Sequence, residues 1–236
     1  MPAKPDAEKR PSGLMVALAF SVAVAAAAGL VIAALVLRGD GDAQAPASTP
    51  AIDLSSIPQN ATELGAPTAQ VTLIEYADLQ CPACRNYATA VLPAIVDDYI
   101  RPGKVKAEFR GIAFIGADSE RAVRLVYAAG LQNRLWQLQE ALYRNQGGEN
   151  SGWVTDDLIR ELAAQIAGLD VDRLFTDADG AEVTTMVEEA AAQANAAEVG
   201  GTPTFAVRVG DAEPKLLELG ISSTELFAAL DDALAG

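Results

Sequence analysis

The chain has 236 residues, enough for one or two domains, and 50% of them are apolar, which is too large a share for a disordered protein. The 32 acidic and 17 basic side chains give a formal net charge of −15, which argues against nucleic acid or an anionic membrane surface as a partner. With two cysteines and no histidine, the chain cannot build the usual zinc sites or imidazole-based hydrolases. Its chemistry must therefore use carboxylates, hydroxyls or the two thiols.

A long apolar run occupies residues 13–37 and contains no charged side chain. As a helix rising about 1.5 Å per residue it would be roughly 37 Å long, which exceeds a hydrocarbon core of about 30 Å. The sequence therefore predicts a transmembrane helix. Three basic residues precede the run and one, Arg38, closely follows it, so the positive-inside tendency places residues 1–12 in the cytoplasm and the remaining chain outside.

A cleaved signal peptide is the alternative interpretation of this segment, because residues 43–45 (Ala-Gln-Ala) form a small-x-small cleavage pattern. The apolar run exceeds the usual signal core of about 7–15 residues, which favours an uncleaved anchor. Residues 38–62 are rich in Ala, Pro, Ser, Thr and Gly and have no apolar periodicity, so we predict a flexible linker there. The folded domain is then expected over residues 63–236.

The predicted elements of this domain begin with a strand, a helix and a second strand, which should run parallel to the first. The helix contains Pro93, which should kink it. An all-helical insertion at about 116–198 follows, then an antiparallel hairpin and a last helix. The predicted strands are 71–76, 105–109, 204–209 and 215–219, and the helical segments are 118–130, 132–146, 155–167, 180–198 and a final one from 222 or 223 to 234.

The two cysteines lie in the sequence Cys81-Pro82-Ala83-Cys84, where the first strand passes into the helix. At a helix N-terminus, unpaired N–H groups and the helix dipole favour a thiolate at Cys81, and a proline suits the first helical position. Cys84 lies one turn further, close enough to form a disulfide. The pattern predicts a redox-active pair. A structural disulfide closing a four-residue ring, half of a zinc site and two unrelated buried thiols are the alternatives.

Residues 75–87 (EYADLQCPACRNY) resemble the active-site stretch of DsbA-like thiol-disulfide oxidoreductases of the thioredoxin fold. Residues 201–205 (GTPTF) look like the cis-proline loop that faces the thiol pair in that fold. The resemblance covers roughly residues 63–235. It implies an α/β, thioredoxin-like fold with the helical insertion between the second and third strands, preceded here by the transmembrane helix.

The resemblance also implies roles for individual residues. Cys81 would be the nucleophile and Cys84 the resolving thiol. Pro203 would be the cis-proline, with the backbone of Thr202 left available to pair with an extended substrate. Glu75 would lie beneath the disulfide and relay a proton to or from Cys84. An ordinary trans-proline and a surface-pointing glutamate are the alternatives at those two positions.

Pro82 and Ala83, between the cysteines, would also face the substrate. Ala83 stands where the strongly oxidising members of the family carry a histidine, and dithiol potentials in this fold span about 150 mV, so the motif leaves the direction of catalysis open. An extracytoplasmic oxidase is favoured by the compartment. A reductase or isomerase is the alternative, and a non-catalytic tethered binding or holdase module is the alternative of another class.

An oxidase of this family implies unfolded or reduced secreted proteins as substrates. It also implies a quinone-linked membrane partner, resembling DsbB or the bacterial vitamin K epoxide reductase homologues, that re-oxidises the thiol pair. No organic cofactor or metal is implied. We expect a monomeric catalytic domain on the outer face of a bacterial cell membrane, held there by a single-pass anchor.

Overall fold

The computed structural model of the protein describes residues 51–236. The predicted cytoplasmic N-terminus (1–12) and transmembrane helix (13–37) lie outside the described residues. Within the described part of the chain, no helix combines the length and the apolar character needed to cross a membrane.

One sheet of six strands forms the centre of the fold. The strands are β1 (Gln59–Asn60), β2 (Glu63–Leu64), β3 (Val71–Ala77), β4 (Val105–Gly111), β5 (Thr204–Val209) and β6 (Lys215–Leu216). Their spatial order is β1-β2-β4-β3-β5-β6. The β3–β4 pair is parallel, as expected for strands joined through a helix, and the other pairs are antiparallel. All residues of the central strand β3 are buried because both faces of the sheet are covered.

The helix that follows β3, α1, runs from residue 82 to residue 100. It consists of α-helical segments Pro82–Asn86 and Leu92–Ile95 and π-helical segments Tyr87–Val91 and Val96–Ile100. Pro93 cannot donate a backbone hydrogen bond, and the wider π-helical turn directly precedes it, with the Leu92 N–H bonded to the Tyr87 carbonyl. The disturbance expected at Pro93 therefore takes the form of a π-helical turn.

Five helices lie between β4 and β5 and make up the predicted all-helical insertion. They are α2 (Ala117–Gly130), α3 (Leu135–Arg144), α4 (Asp156–Ala164), α5 (Val171–Ala178) and α6 (Ala181–Ala196). The sequence predicts only a connection between Gly168 and Gly180, whereas the structure has α5 there. Its N-cap, Asp170, accepts a hydrogen bond from the Arg173 N–H. The last helix, α7 (Ser223–Ala235), begins at a capping box formed by Ser222 and Glu225.

The two faces of the sheet carry cores of different size. Because side chains alternate along a strand, Leu73, Glu75 and Ala77 of β3 point to one face, and Ile74 and Tyr76 point to the other. The first face carries the main core, which also contains Cys84. The second face carries a small cluster formed by Ile74, Tyr76, Ile112, Ala194 and Ala206.

The predicted linker 38–62 extends too far toward the domain, because residues 51–62 pack against it. Leu54 and Ile57 are buried in the main core. The Ile52 N–H donates to Glu140 on α3 at 2.8 Å. The segment then adds β1 and β2 to the sheet. Two buried apolar side chains in an otherwise polar stretch give no recognisable period, which is why composition alone assigned these residues to the linker.

We expect Leu54→Ala to lower the free energy of unfolding by about 2–4 kcal/mol, because the substitution leaves a cavity in the main core. Urea denaturation followed by circular dichroism measures the change. Ser55→Ala, at an exposed neighbouring position, is the control and should change stability by less than about 0.5 kcal/mol. Equal stability of the two variants would contradict the packing of this segment.

Candidate active site

The two cysteines lie at the start of α1, on the C-terminal side of β3. Cys81 is the N-cap residue, with φ −70° and ψ 120°, and Pro82 is the first residue of the helix. The Cys84 N–H points at Cys81 Sγ, 3.5 Å away. Both are free thiols, and the Cys81 residue is 8% exposed while Cys84 is fully buried at 0%. The arrangement leaves a small part of Cys81 accessible and encloses Cys84 completely.

The surroundings of Cys81 favour its thiolate. Its pKa falls to about 5, chiefly because the Cys84 thiol donates a hydrogen bond to it, and burial opposes the change. The Thr202 side chain and the backbone N–H groups of Ala83 and Cys84 lower the pKa further. These groups stabilise the negative charge without an imidazole beside the sulfur.

Cys84 has the opposite tendency. Burial raises the pKa of the Cys84 thiol far above its usual range, and its hydrogen bond to Cys81 and the nearby charges of Glu75 and Cys81 act in the same direction. In the dithiol state Cys84 is therefore a protonated thiol beside a thiolate. When Cys84 becomes a leaving group, it needs a proton.

The loop at residues 201–205 faces the thiol pair across the active site. The Thr202–Pro203 peptide bond is cis. Cys81 Sγ lies 3.2 Å from the Thr202 carbonyl oxygen, although the two residues are 121 positions apart in the chain. The Thr204 hydroxyl donates to the Gly201 carbonyl at 2.7 Å and ties the loop to the start of β5. The fold thus brings the two motifs identified in the sequence into contact.

Glu75 lies in the middle of β3, with Phe109 of β4 and Phe205 of β5 as its register partners. Its side chain is buried, with the residue only 1% exposed, so the alternative of a surface-pointing glutamate is wrong. Neither carboxyl oxygen has a partner with full hydrogen-bond geometry. Burial raises the pKa of Glu75 to about 8, the Gln139 side chain lowers it, and the charge of Cys81 raises it. At neutral pH the carboxyl group is mostly protonated, and it can give up that proton.

Asp78 organises the short loop between β3 and Cys81. Its carboxylate accepts hydrogen bonds from the Gln80 N–H at 2.8 Å and the Ser119 hydroxyl at 2.6 Å. It also accepts from the Phe114 N–H at 2.8 Å and the Ile115 N–H at 3.0 Å. One buried carboxylate therefore holds together the approach to Cys81, the loop after β4 and the start of α2.

Side chains on and just after α3 hold the backbone of the same loop. The Tyr143 hydroxyl donates to the Asp78 carbonyl at 3.3 Å. The Gln146 amide donates to the carbonyls of Leu79 at 2.8 Å and Cys81 at 3.1 Å. These contacts fix the direction in which the chain enters α1, and with it the position of the Cys81 sulfur.

Six residues that hold the loop were not predicted from the sequence: Asp78, Gln80, Ser119, Tyr143, Gln146 and Asn150. The signal that could have found two of them is the helical spacing of Tyr143 and Gln146 along an otherwise largely apolar face. Among residues 51–236, no group of three or more metal-ligating side chains is positioned to hold a metal ion.

Comparison with known proteins identifies the family. A family model described as Thioredoxin matches residues 58–213. The chain belongs to the thioredoxin family. A protein of Bacillus cereus named "Probable disulfide bond formation protein D" is 30% identical over 154 residues, which are 64% of this chain and 71% of the relative.

Solved structures agree with this assignment. Oxidised BdbD from Bacillus subtilis has a TM-score of 0.66 and 25% identity, covering 75% of this chain and 94% of BdbD. DsbA2 from Pseudomonas aeruginosa has a TM-score of 0.59 and 27% identity, covering 74% of this chain and 94% of DsbA2. The predicted thioredoxin-like fold with a helical insertion is confirmed, and the chain is a DsbA-like thiol-disulfide oxidoreductase. The chain is therefore assigned as an enzyme and not as the alternative, a non-catalytic tethered binding or holdase module.

We expect iodoacetamide to alkylate the reduced protein at Cys81 alone, with a rate that rises through a midpoint near pH 5 and then levels off. Only the thiolate reacts, and the pKa of Cys81 is lowered to about 5 while Cys84 stays buried and protonated. Peptide mapping by mass spectrometry gives the site and the rate. Cys81→Ser should remain unmodified under native conditions. A midpoint near the ordinary thiol pKa of about 8.5 would contradict the description of this site.

Proposed function

We propose that this DsbA-like oxidoreductase works as an oxidase that introduces disulfides into secreted or membrane proteins. The observation that carries the proposal is the position of Cys81 Sγ at the N-terminus of α1, 3.5 Å from the Cys84 backbone nitrogen, where the thiolate is stabilised and its pKa falls to about 5. Stabilising the dithiol form of an enzyme makes its disulfide a stronger oxidant of other thiols. The relative from Bacillus cereus is named as a probable disulfide bond formation protein, which supports the same direction.

The reaction begins with the enzyme in its disulfide form. A substrate thiolate attacks Cys81 Sγ, a mixed disulfide forms, and the Cys81–Cys84 bond breaks with its electron pair left on Cys84. Cys84 then takes a proton from Glu75. A second substrate thiolate attacks the substrate sulfur of the mixed disulfide and releases Cys81 as a thiolate. The substrate has lost two electrons and gained a disulfide, and the enzyme holds the two electrons as a dithiol.

Glu75 suits the role of proton donor because its side chain is buried, and burial, the largest cause of its raised pKa, favours the protonated carboxyl group. Its carboxyl group acts electrostatically on Cys84, the thiol whose pKa is raised and which needs the proton. The sulfur of Cys81 needs no proton when it is released, since it is stable as a thiolate. The proton affinity is lowest at Cys81, higher at Glu75 and highest at Cys84, which is the order that proton transfer from Glu75 to Cys84 requires.

Substrate binding is proposed along the loop that carries Pro203. The backbone of Thr202 lies beside Cys81 Sγ and precedes β5, so an extended substrate segment can pair with it as an added strand. The exposed Pro82 and Ala83 form the opposite wall. This geometry requires an extended segment around the reacting cysteine, which reduced, unfolded polypeptides provide.

Two large apolar side chains are exposed on segments that adjoin the loops of the active site. Phe114 is 53% exposed on the loop held by Asp78, and Leu219 is 60% exposed beside Gly201. Exposed apolar groups of this size suit contact with the apolar side chains that an unfolded substrate presents.

The proposal includes a membrane anchor at residues 13–37, a cytoplasmic N-terminus at residues 1–12 and a linker that ends before residue 51. Its support is the uncharged apolar run and the basic residues that precede it. We further propose that a quinone-linked membrane protein resembling DsbB or the vitamin K epoxide reductase homologues re-oxidises the dithiol. An anchor would raise the effective concentration of the enzyme near that partner.

A reductase or isomerase is the second candidate function, and Ala83 is the observation that favours it. A neutral methyl group between the cysteines adds nothing to the stability of the thiolate, whereas a cationic side chain would. The oxidase and the reductase or isomerase differ in the reduction potential of the Cys81–Cys84 pair. They also differ in the redox state of the pair, disulfide or dithiol, that reacts with the substrate.

Equilibration of the full-length protein with glutathione buffers should give a potential nearer to the value of about −120 mV for DsbA than to about −270 mV for thioredoxin. The oxidised protein should then oxidise a dithiol peptide, as measured by the loss of peptide thiols. Cys81→Ser is the control and should oxidise nothing. A potential near that of thioredoxin, together with no oxidation of the peptide, would favour the reductase or isomerase function.

Glu75→Gln should slow oxidation of the dithiol peptide by at least about tenfold, because Cys84 loses its proton donor. In the unsubstituted protein, the rate constant per substrate thiolate should fall as the pH rises through the pKa of Glu75, and this dependence should vanish in the variant. Stopped-flow tryptophan fluorescence measures both. Glu63→Gln, on β2, is the control and should keep the original rate and pH profile. An unchanged profile in Glu75→Gln would remove Glu75 from the mechanism.

A further inference from the structure

The face of α3 that looks toward the active site carries polar side chains at helical spacing. Tyr143 and Gln146 donate to backbone carbonyls of the loop that enters α1. Gln139 lies one turn before Tyr143 on the same helix and is buried, and its side chain is a hydrogen-bond donor that lowers the pKa of Glu75. The helical insertion therefore acts on Glu75 of β3 as well as on the loop.

Gln139 and Glu75 form an incompletely satisfied polar pair inside the main core. Gln139 is buried, and its Nε2 has no partner with full hydrogen-bond geometry. The same holds for both carboxyl oxygens of Glu75. Buried polar groups are nearly always paired, so unpaired groups at this depth call for an explanation. A buried donor and a buried acceptor that influence each other, both left unpaired, fit a contact that tightens when Glu75 becomes charged.

We propose that Gln139 is a positioning residue for thiol-disulfide exchange. Its Nε2 donates to the Glu75 carboxylate each time Glu75 passes its proton to Cys84, and so it sets how readily that proton moves. The inference rests on the proposed role of Glu75. In the first half-reaction the Cys84 thiolate gains the proton, Glu75 becomes a buried carboxylate, and the Gln139 amide is the donor that α3 supplies to this new charge.

A purely structural role for Gln139 would be to fill space between α3 and the sheet, and a methionine of similar volume would serve that purpose equally well. Gln137 offers a matched comparison on the same helix. Its side-chain oxygen is also buried without a partner, but it faces the groove beside residues 51–59 and not Glu75. Substituting each glutamine by methionine separates the electrostatic role from the general effect of removing a buried amide.

The test uses the full-length protein in its dithiol form and follows the ionisation of Glu75 by the infrared carbonyl stretch of its protonated carboxyl group. The band is assigned by its loss in Glu75→Gln. In the unsubstituted protein the midpoint should lie near pH 8. Gln139→Met should move it upward by about one pH unit, because the donor that stabilises the carboxylate is gone. Gln137→Met should leave the midpoint unchanged.

An unchanged midpoint in Gln139→Met would overturn the proposal, whether or not the protein oxidises a dithiol peptide. If the variant does not fold, Gln139→Asn withdraws the amide by one methylene and should give a smaller upward shift. The pH profile of peptide oxidation should move with the midpoint, and in the Glu75→Gln background Gln139→Met should no longer affect it. If Gln139→Met shifts the midpoint of Glu75 but not the pH profile of peptide oxidation, the proton transfer from Glu75 to Cys84 would be overturned. The oxidase function would still be decided separately, by the reduction potential and the oxidation of the dithiol peptide.

Discussion

The negative charge on Cys81 at the N-terminus of α1 is the interaction on which the active site depends. It requires that the chain leave β3 at Ala77 and begin a helix at Pro82, so that the first backbone N–H groups of the helix point at one sulfur. Asp78 fixes the conformation of this turn, because its carboxylate binds the loop itself, the loop after β4 and the start of α2. The reactivity of Cys81 is therefore a property of how the helix begins.

The thioredoxin-like part and the helical insertion contribute differently to this site. The sheet and α1 supply the reacting groups, namely the two thiols, Glu75 and the loop before β5. The insertion holds the backbone of the loop before α1, through Tyr143 on α3 and Gln146 just after it. Such a division fits a general feature of active sites, in which reacting groups need a second layer of side chains to hold their geometry.

Strong local patterns made the reacting residues predictable from sequence. The spacing of Cys81 and Cys84 and the buried strand before them are local, and β3, β5 and the start of α7 are close to their predicted ranges. The supporting residues depend on contacts between distant segments. The contact of Tyr143 with the Asp78 carbonyl spans 65 positions, and no local pattern indicates which distant segment Tyr143 contacts. Segments with weak periodicity were missed for the same reason, as with residues 51–62.

The lack of histidine changes how the thiolate responds to pH. An imidazolium between the cysteines would lose its charge as the pH rises through its pKa of about 6.5, and its support for the thiolate would fade there. Helix N–H groups and the Cys84 thiol do not titrate in that range. Because the pKa of Cys81 is lowered from 9.0 to about 5, the thiolate stabilises the folded dithiol form fully above pH 9.0. This contribution is lost as the pH falls through about 5. Between these two pH values the contribution increases with pH, because Cys81 is a thiolate in the folded protein and still a thiol in the unfolded chain. The site therefore keeps its bias toward the dithiol form at neutral pH.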